Sequence, residues 1–429
     1  MGEVDMGAYE FNDCNCNDID DEAELSGSTD CDDNRILDEC EAAIAGPDGL
    51  ARDPIAIIPL EAVDMSDLQL DQNWMIVGSA SDSLLTNAGA VYFYRWNAPY
   101  WYGPARKTSS NSQSFNEFGT SVGISGGWAV AGAPGADSPA GEANVFKLNT
   151  GNNTWSEFGN LLESSTGINV GAVVAIHDDV IAVSGASDSA VSGSSSGLVY
   201  VFHYNATAQA WQLKDTMVPS DGNAVYFGIS VAVRDDWIAV GYSVDESGLP
   251  AGVEMFHYDG TDWDEDDLLD YPGAPAQDDS GFGMSLAMDE DVLVAGAVGY
   301  GAGAGNGEAY VSLLDGVWAH VETLDVNGVD ADDLFGRDVD IWRDMTDDET
   351  IVVVGAPLQE SNDSGAAHFF LLNECLGEMF HHELLPASPT SNGNFGHPVS
   401  HYDDVGIVRD PRAQSSDMLN DYRVLGPCD

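Results

Sequence analysis

Three observations predict an all-β chain assembled from repeated sheets. Apolar and polar residues alternate with period two rather than 3.6, the pattern of half-buried strands. Glycine is abundant, at 47 of 429 residues, and the connecting stretches are rich in Asp, Asn and Ser, the residues of tight turns. A string typified by "EFGTSVGISGGWAVAGAPGAD", residues 117–137, returns with variations about every 55 residues. A regular period of that size means a solenoid or a propeller. Hydrophobic residues make up 44% of the chain and aromatic ones 9%, enough for a real core, so wholesale disorder is not expected.

The apolar run that ends the string aligns seven times: "WMIVGSA", "WAVAGAP", "VIAVSGA", "WIAVGYS", "VLVAGAV", "IVVVGAP" and "VGIVRDP". The aligned residues Gly78, Gly132, Ser184, Gly241, Gly296, Gly355 and Arg409 stand 54, 52, 57, 55, 59 and 54 apart. Phe-Gly lies fourteen residues upstream at Phe118, Phe227, Phe282 and Phe395, and twenty upstream at Phe335. Asp64-Met65 and Val170-Gly171 replace the pair in the first and third repeats.

In the fourth repeat "ISVAVRDDWIAVG" reads as two short strands joined by a tight Asp235-Asp236 turn. A Gly/Ser-rich loop follows, then a third strand, "GVEMFHYDG", and a fourth carrying Trp263. The other repeats place Trp101, Trp155, Trp211, Trp318 and Phe380 on their fourth strands. Four antiparallel strands per repeat make a propeller blade. Glycine at the end of the second strand fits a close approach of backbones that a side chain would block. The seventh repeat ends at "DYRVLGPCD" with a third strand but no fourth, whereas "DPIAIIPLEAV" precedes the first repeat without a blade of its own. Residues 53–63 are therefore expected to supply the missing outer strand, making 53–429 one closed, seven-bladed propeller. Closure removes exposed strand edges.

These strings resemble the FG-GAP repeat of integrin α-subunit propellers and of many secreted bacterial proteins, over roughly residues 53–429. The resemblance implies a ligand on the loop face and, in some first-to-second-strand hairpins, a calcium loop. Five hairpins are too short for one. The sixth has the length, but its ligand places hold Arg343, Met345, Asp347, Glu349 and Ile351. Asp344, Asp347 and Asp348 there read better as a solvated acidic turn than as an ion site.

Residues 11–41 contain two twelve-residue windows with oxygen-bearing residues in alternation. The first places Asp13, Asn15, Asn17, Ile19, Asp21 and Glu24 at positions 1, 3, 5, 7, 9 and 12; the second places Asp30, Asp32, Asn34, Ile36, Asp38 and Glu41 there. Ca2+ takes six or more hard oxygens, with a carbonyl at position 7. Both windows resemble tandem EF-hand-like loops of the dockerin or thrombospondin type-3 kind. Asp18 and Arg35 depart from the glycine wanted at position 6. The rival readings are a zinc site, for which no Cys-x-x-Cys pair is present, and an acidic linker. Residues 4–11 resemble the closing strand of a right-handed parallel β-helix, so 1–10 are expected to be the remnant of an upstream domain and 42–52 a linker.

Charge is the outlier of the composition: Asp+Glu 73 against Lys+Arg 13, a net −60, with only three lysines. Such a surface repels phosphate, which argues against nucleic acid and anionic lipid. It suits multivalent cations, cationic partners and solubility in salt. No apolar run reaches the ~18 residues of a membrane span. Six cysteines (14, 16, 31, 40, 375 and 428) cluster near the two ends, which favours local disulfides in an oxidising compartment. Cys31 and Cys40 are candidates to pair across the second loop, and Cys375 and Cys428 to staple the last blade. No signal peptide is visible, so the expectation is a secreted or cell-surface chain belonging to a longer polypeptide and monomeric within it.

A search for catalysis finds no G-x-S-x-G or H-E-x-x-H motif. "GYGAGAGNG", 299–307, precedes no amphipathic helix and reads as a flexible turn. His381 and His382 face opposite sides of one strand, His397 and His401 have no partnered nucleophile, and carboxylates are too plentiful for any pair to be diagnostic. Arg234, Arg337, Arg343 and Arg409 are the cations available near the axis. The expected function is a calcium-stabilised, non-catalytic binding or adhesion module. Its ligand, a cationic protein patch or a carbohydrate gripped by Tyr100, Trp101 and Tyr102, would lie on the propeller face. The alternatives are a polysaccharide hydrolase or lyase, and a passive spacer.

Overall fold

A computed structural model describes residues 56–59, 65–82, 86–97, 100–136, 140–161, 169–185, 197–220, 225–243, 252–270, 281–298, 307–326, 333–344, 349–359, 363–373, 378–386, 394–402, 405–410 and 418–423. Strands and turns account for them, with no helix among the described residues. Six blades, each of four consecutive antiparallel strands, span Asp67 to Leu384. Blade 1 comprises Asp67–Asp71, Trp74–Ser79, Ala90–Asn97 and Tyr100–Lys107. Blades 2 to 6 begin with the inner strands Val122–Ser125, Val170–His177, Val225–Arg234, Phe282–Asp289 and Asp338–Asp344.

Where seven blades were expected, six are built of four consecutive strands; the remaining four-stranded sheet is composite. It joins Val399–Tyr402, Val405–Asp410 and Met418–Arg423 to the leading strand Ala56–Pro59, which runs antiparallel with Ala56 opposite Asp421 and Pro59 opposite Met418. Its inner strand lies between those of blade 6 and blade 1: Val399 N–H donates to Asp338, and Leu70 N–H donates to the Ser400 hydroxyl.

Inner and second strands connect through two-residue turns, as between Asp71 and Trp74 or Arg234 and Trp237. The first turn residue takes the left-handed backbone such hairpins need, at Gln72, Gly126, Asp178, Asp235 and Glu290. Blade 6 differs. Its hairpin runs from Asp338 opposite Gly355 to Asp344 opposite Glu349, longer in both ladder and turn than its neighbours'. That extra length explains why Phe335 stands further upstream of its glycine, because Phe335-Gly336 occupies the same structural place as the other pairs.

The core lies in the seams between sheets. Phe118, for example, is fully buried among Ile76, Val91 and Phe93 of blade 1 and Phe146 and Trp155 of blade 2. Phe227, Phe282, Phe335 and Phe395 fill the corresponding places, with Val170 in the third. Full burial of one such ring contributes about 2–3 kcal/mol. Met65 is buried with Leu68 and Met75 of blade 1 and Ile407 of the composite sheet.

The glycine of the Phe-Gly pair, or of Val170-Gly171 in its place, explains the one closing the apolar run of the preceding repeat. A Cβ on Gly132 would stand 1.9 Å from the carbonyl oxygen of Gly171, and one on Gly78 would stand 2.1 Å from that of Gly119. The close approach is thus between a second strand and the Phe-Gly turn of the next blade.

Candidate functional site: the axial cavity and its two ends

The inner strand of each blade is an edge strand, with backbone N–H groups that no neighbouring strand pairs. Such donors need partners when they face an enclosed axis. Side chains of the preceding blade supply them. Asp67 accepts the Val122 N–H at 2.7 Å, and Asp71 accepts that of Gly126 at 3.0 Å. Ser121 and Ser125 accept the Val174 and Asp178 N–H groups at 3.1 and 3.0 Å. His177 Nδ1 accepts the Asp235 N–H at 3.0 Å. Ser230 and Ser285 instead donate their hydroxyls to the carbonyls of Gly283 and Gly336, at 2.5 and 2.8 Å. Asp289 accepts the Arg343 N–H at 2.7 Å, and Asp338 accepts that of Val399 at 2.8 Å. Asp340 takes both the His401 N–H and the Ser400 hydroxyl, and Ser400 accepts Leu70 N–H at 3.1 Å. The chain of fasteners passes from blade to blade and returns to its start.

These strands enclose a cavity of about 750 Å³ on the axis. At the Phe-Gly end it is bordered by Asp67, Ser121, Arg337, Asp338 and His397, and at the hairpin end by Asp71, His177, Arg234, Asp289, Glu290 and Arg343. Burial, with a smaller push from Asp338, raises Asp67 to about 7. Burial raises Asp340 to about 7 and, together with the charge of Asp178, Asp71 to about 6. Burial opposes the charge of Arg234, yet Asp289, Glu290 and Asp235 hold its pKa above the usual value. Its guanidinium pairs with Asp289 at 2.7 Å and with Glu290. Arg343 pairs with Asp291 at 3.3 Å. Burial pushes His401 down to about 3; its ring packs near Trp342 and Phe369.

A carboxyl raised towards 7 near an arginine and a histidine has the composition of an acid–base site. The geometry gives these carboxyls a structural task. In Asp67 one oxygen accepts Val122 N–H and the other Leu68 N–H; in Asp340 one accepts His401 N–H and Ser400, the other Ile341 N–H. Both oxygens of each are occupied by the fold.

The second-to-third-strand connections reach the Phe-Gly end. Gly89, Gly141, Gly197 and Gly365, at their far ends, bridge to Phe118, Val170, Phe227 and Phe395 of the next repeat. Their central portions lie outside the described residues. Two aromatic residues in segments leading into this end were not singled out from sequence: Phe115 is 59% and Tyr226 47% exposed, both with left-handed backbone. Tyr226 shares its place before the pair with Glu117, Asn169, Leu334 and Asn394, all left-handed.

Tyr100 and Tyr102 are exposed as expected, but on the outer edge strand of blade 1 rather than at the loop face. Trp101 turns inward against Trp96, ring centroids 5.5 Å apart. His381 meets a residue the sequence reading passed over: fully buried His368, with Nδ1 to Nε2 2.9 Å and Gln359 on the other side at 2.7 Å. Gln359 also donates to Glu383. Burial, with His381 and His382 adding to it, lowers His368 to about 3. The calcium candidates Asp13, Asn15, Asn17, Ile19, Asp21, Glu24, Asp30, Asp32, Asn34, Ile36, Asp38 and Glu41, all six cysteines and Met345–Asp348 lie outside the described residues. Among the described residues no group of three or more His, Cys, Asp or Glu is arranged to hold a metal ion.

Comparison with protein families finds no match, and comparison with curated proteins finds none either. Among solved structures, the chain is similar to Sqt1 of Saccharomyces cerevisiae at 9% identity, over 86% of this chain and 88% of that one, with a TM-score of 0.46.

Proposed function

We propose that the chain is a non-catalytic binding module that works outside the cell and presents its ligand surface at the Phe-Gly end of the propeller. The observation that supports this reading is the commitment of the axial carboxylates to backbone N–H groups of adjacent blades. A propeller whose polar axis is spent on its own assembly has its chemical freedom in the loops, which every blade delivers to one end. The ligand that suits a −60 chain is a cationic protein surface, attracted over the range that salt permits. Immobilised lysozyme is a convenient probe. Replacing 83–87 and 221–224 with Gly-Ser segments of equal length should abolish salt-sensitive binding to it while leaving unfolding close to the parent's. Undiminished binding by both variants would refute the loop face. Turnover of a polysaccharide that a single Asp340→Asn removes would refute the non-catalytic reading.

The reading includes Ca2+ held by the two windows of residues 11–41. Titration calorimetry on the chain with and without those residues tests it, and identical heats would remove calcium from the account.

A further inference from the structure

We infer that the outer flank of blade 1 is a second binding surface, separate from the loop face, and that it takes an extended polysaccharide bearing carboxylate or sulfate groups. Tyr100 and Tyr102 are 64% and 55% exposed. Standing two residues apart on one strand, they project from the same face at a spacing of about 7 Å. Asn97 and Arg95 are their cross-strand partners and share that face. Arg95 is itself paired with Trp74, its guanidinium 5.9 Å from the ring centroid, which holds it in place.

The repeat supplies its own control. Where blade 1 has Tyr100 and Tyr102, blade 2 has Thr154 and Ser156, blade 3 Ala210 and Gln212, blade 4 Asp262 and Asp264, and blade 5 Val317 and Ala319. The blade fold therefore asks for no aromatic ring at either position. The charge of the region is equally distinct. Residues 83–116 contain not one Asp or Glu in a chain that has 73, yet they hold Arg95, Arg106 and Lys107 of its 13 cations. Asp82, just before this stretch, is held by Arg106 through contacts of 3.1 and 2.6 Å. An anionic ligand repelled elsewhere meets its weakest opposition here.

Pro104 lies in the same edge strand and lacks an N–H, which disfavours a partner that would add a strand. Recognition must therefore run through side chains. Two adjacent rings suit the flat faces of successive sugar units, Asn97 their hydroxyls, and the planar guanidinium a carboxylate or sulfate.

The test measures binding of alginate, dextran sulfate, neutral dextran and polyglutamate to the full chain by affinity electrophoresis and calorimetry. Alginate or dextran sulfate should bind, the two arms separating carboxylate from sulfate as the favoured group, and binding should weaken with salt. Y100S/Y102S should weaken it by about tenfold or more, and R95Q should do so for the anionic chains. Val317→Ser at the matching place in blade 5 should change nothing. Unfolding curves for each variant separate lost binding from lost structure. The proposal is overturned by no binding to either anionic glycan, by equal affinity for neutral dextran, by tighter binding of polyglutamate (an acidic protein partner), or by a Y100S/Y102S variant that binds like the parent. None of these outcomes bears on the loop face, which those variants leave intact.

Discussion

The axis and the outer rim of this propeller are built from the same repeat under opposite constraints. At the axis, Asp67, Ser121, His177, Asp289, Asp338 and Asp340 each answer an N–H group on the next blade. At the rim, the outer strands of blades 1 to 5 each carry a Trp at one matching place, such as buried Trp155 or Trp318, and let the exposed positions drift from Tyr100 to Thr154 to Asp262 to Val317. These polar groups at the axis thus fasten one blade to the next, whereas the exposed positions of the rim vary from blade to blade. High charge and raised carboxyl pKa values alone would have pointed the other way.

The contrast can be broken in order of effect. Phe118→Ala empties a seam between two sheets and should cost about 3–5 kcal/mol in denaturant unfolding. Gly132→Ala forces a methyl against the Gly171 carbonyl and should cost about 3 kcal/mol, although it removes no contact. Ser121→Ala leaves the Val174 N–H without its acceptor beside the axial cavity, and should cost about 1 kcal/mol. At the rim, Tyr100→Ser should stay within about 0.5 kcal/mol of the parent. A rim substitution as costly as the seam one would end the distinction.

The pH dependence sharpens it further. The folded pKa values of Asp67, Asp340 and Asp71 are raised to about 7, 7 and 6. Their contribution to stability is full below the unfolded value near 4 and is lost as pH rises through 6 to 7. His401 and His368 are lowered to about 3. Their contribution is full above the unfolded value near 6.5 and is lost as pH falls towards 3. The two sets oppose each other between about pH 4 and 6.5, so the parent should show a shallow profile there, shallower still because the carboxyls border the cavity. Asp67→Asn with Asp340→Asn should unmask a loss of stability on acidification from pH 6.5. A variant profile parallel to the parent's would show that these carboxyls do not titrate as described.

Much of the fold was legible because its strongest constraint is periodic. The apolar runs, the Phe-Gly pairs and the fourth-strand tryptophans recur at fixed places, and the extended pairing of Ala56–Pro59 follows from counting strands at the two ends. The axial fasteners were harder to see. A signal existed, since Asp67, Ser121, Ser230 and Ser285 each stand eleven residues before Gly78, Gly132, Gly241 and Gly296, but a lone Asp or Ser in an acidic chain looks like surface. The Gln359–His368–His381 contacts were invisible because they join two strands of a blade and the connection that precedes them. Trp101 was misjudged because composition cannot say which of three consecutive aromatic residues turns inward.

The central claim is that the axial carboxylates fasten blades while recognition happens elsewhere. Measuring unfolding and ligand binding side by side for Asp340→Asn and for Y100S/Y102S tests it most directly. The account predicts a destabilised Asp340→Asn that binds lysozyme and alginate like the parent, and a Y100S/Y102S variant of parental stability that has lost alginate alone. An Asp340→Asn variant of full stability that has lost either ligand would contradict it.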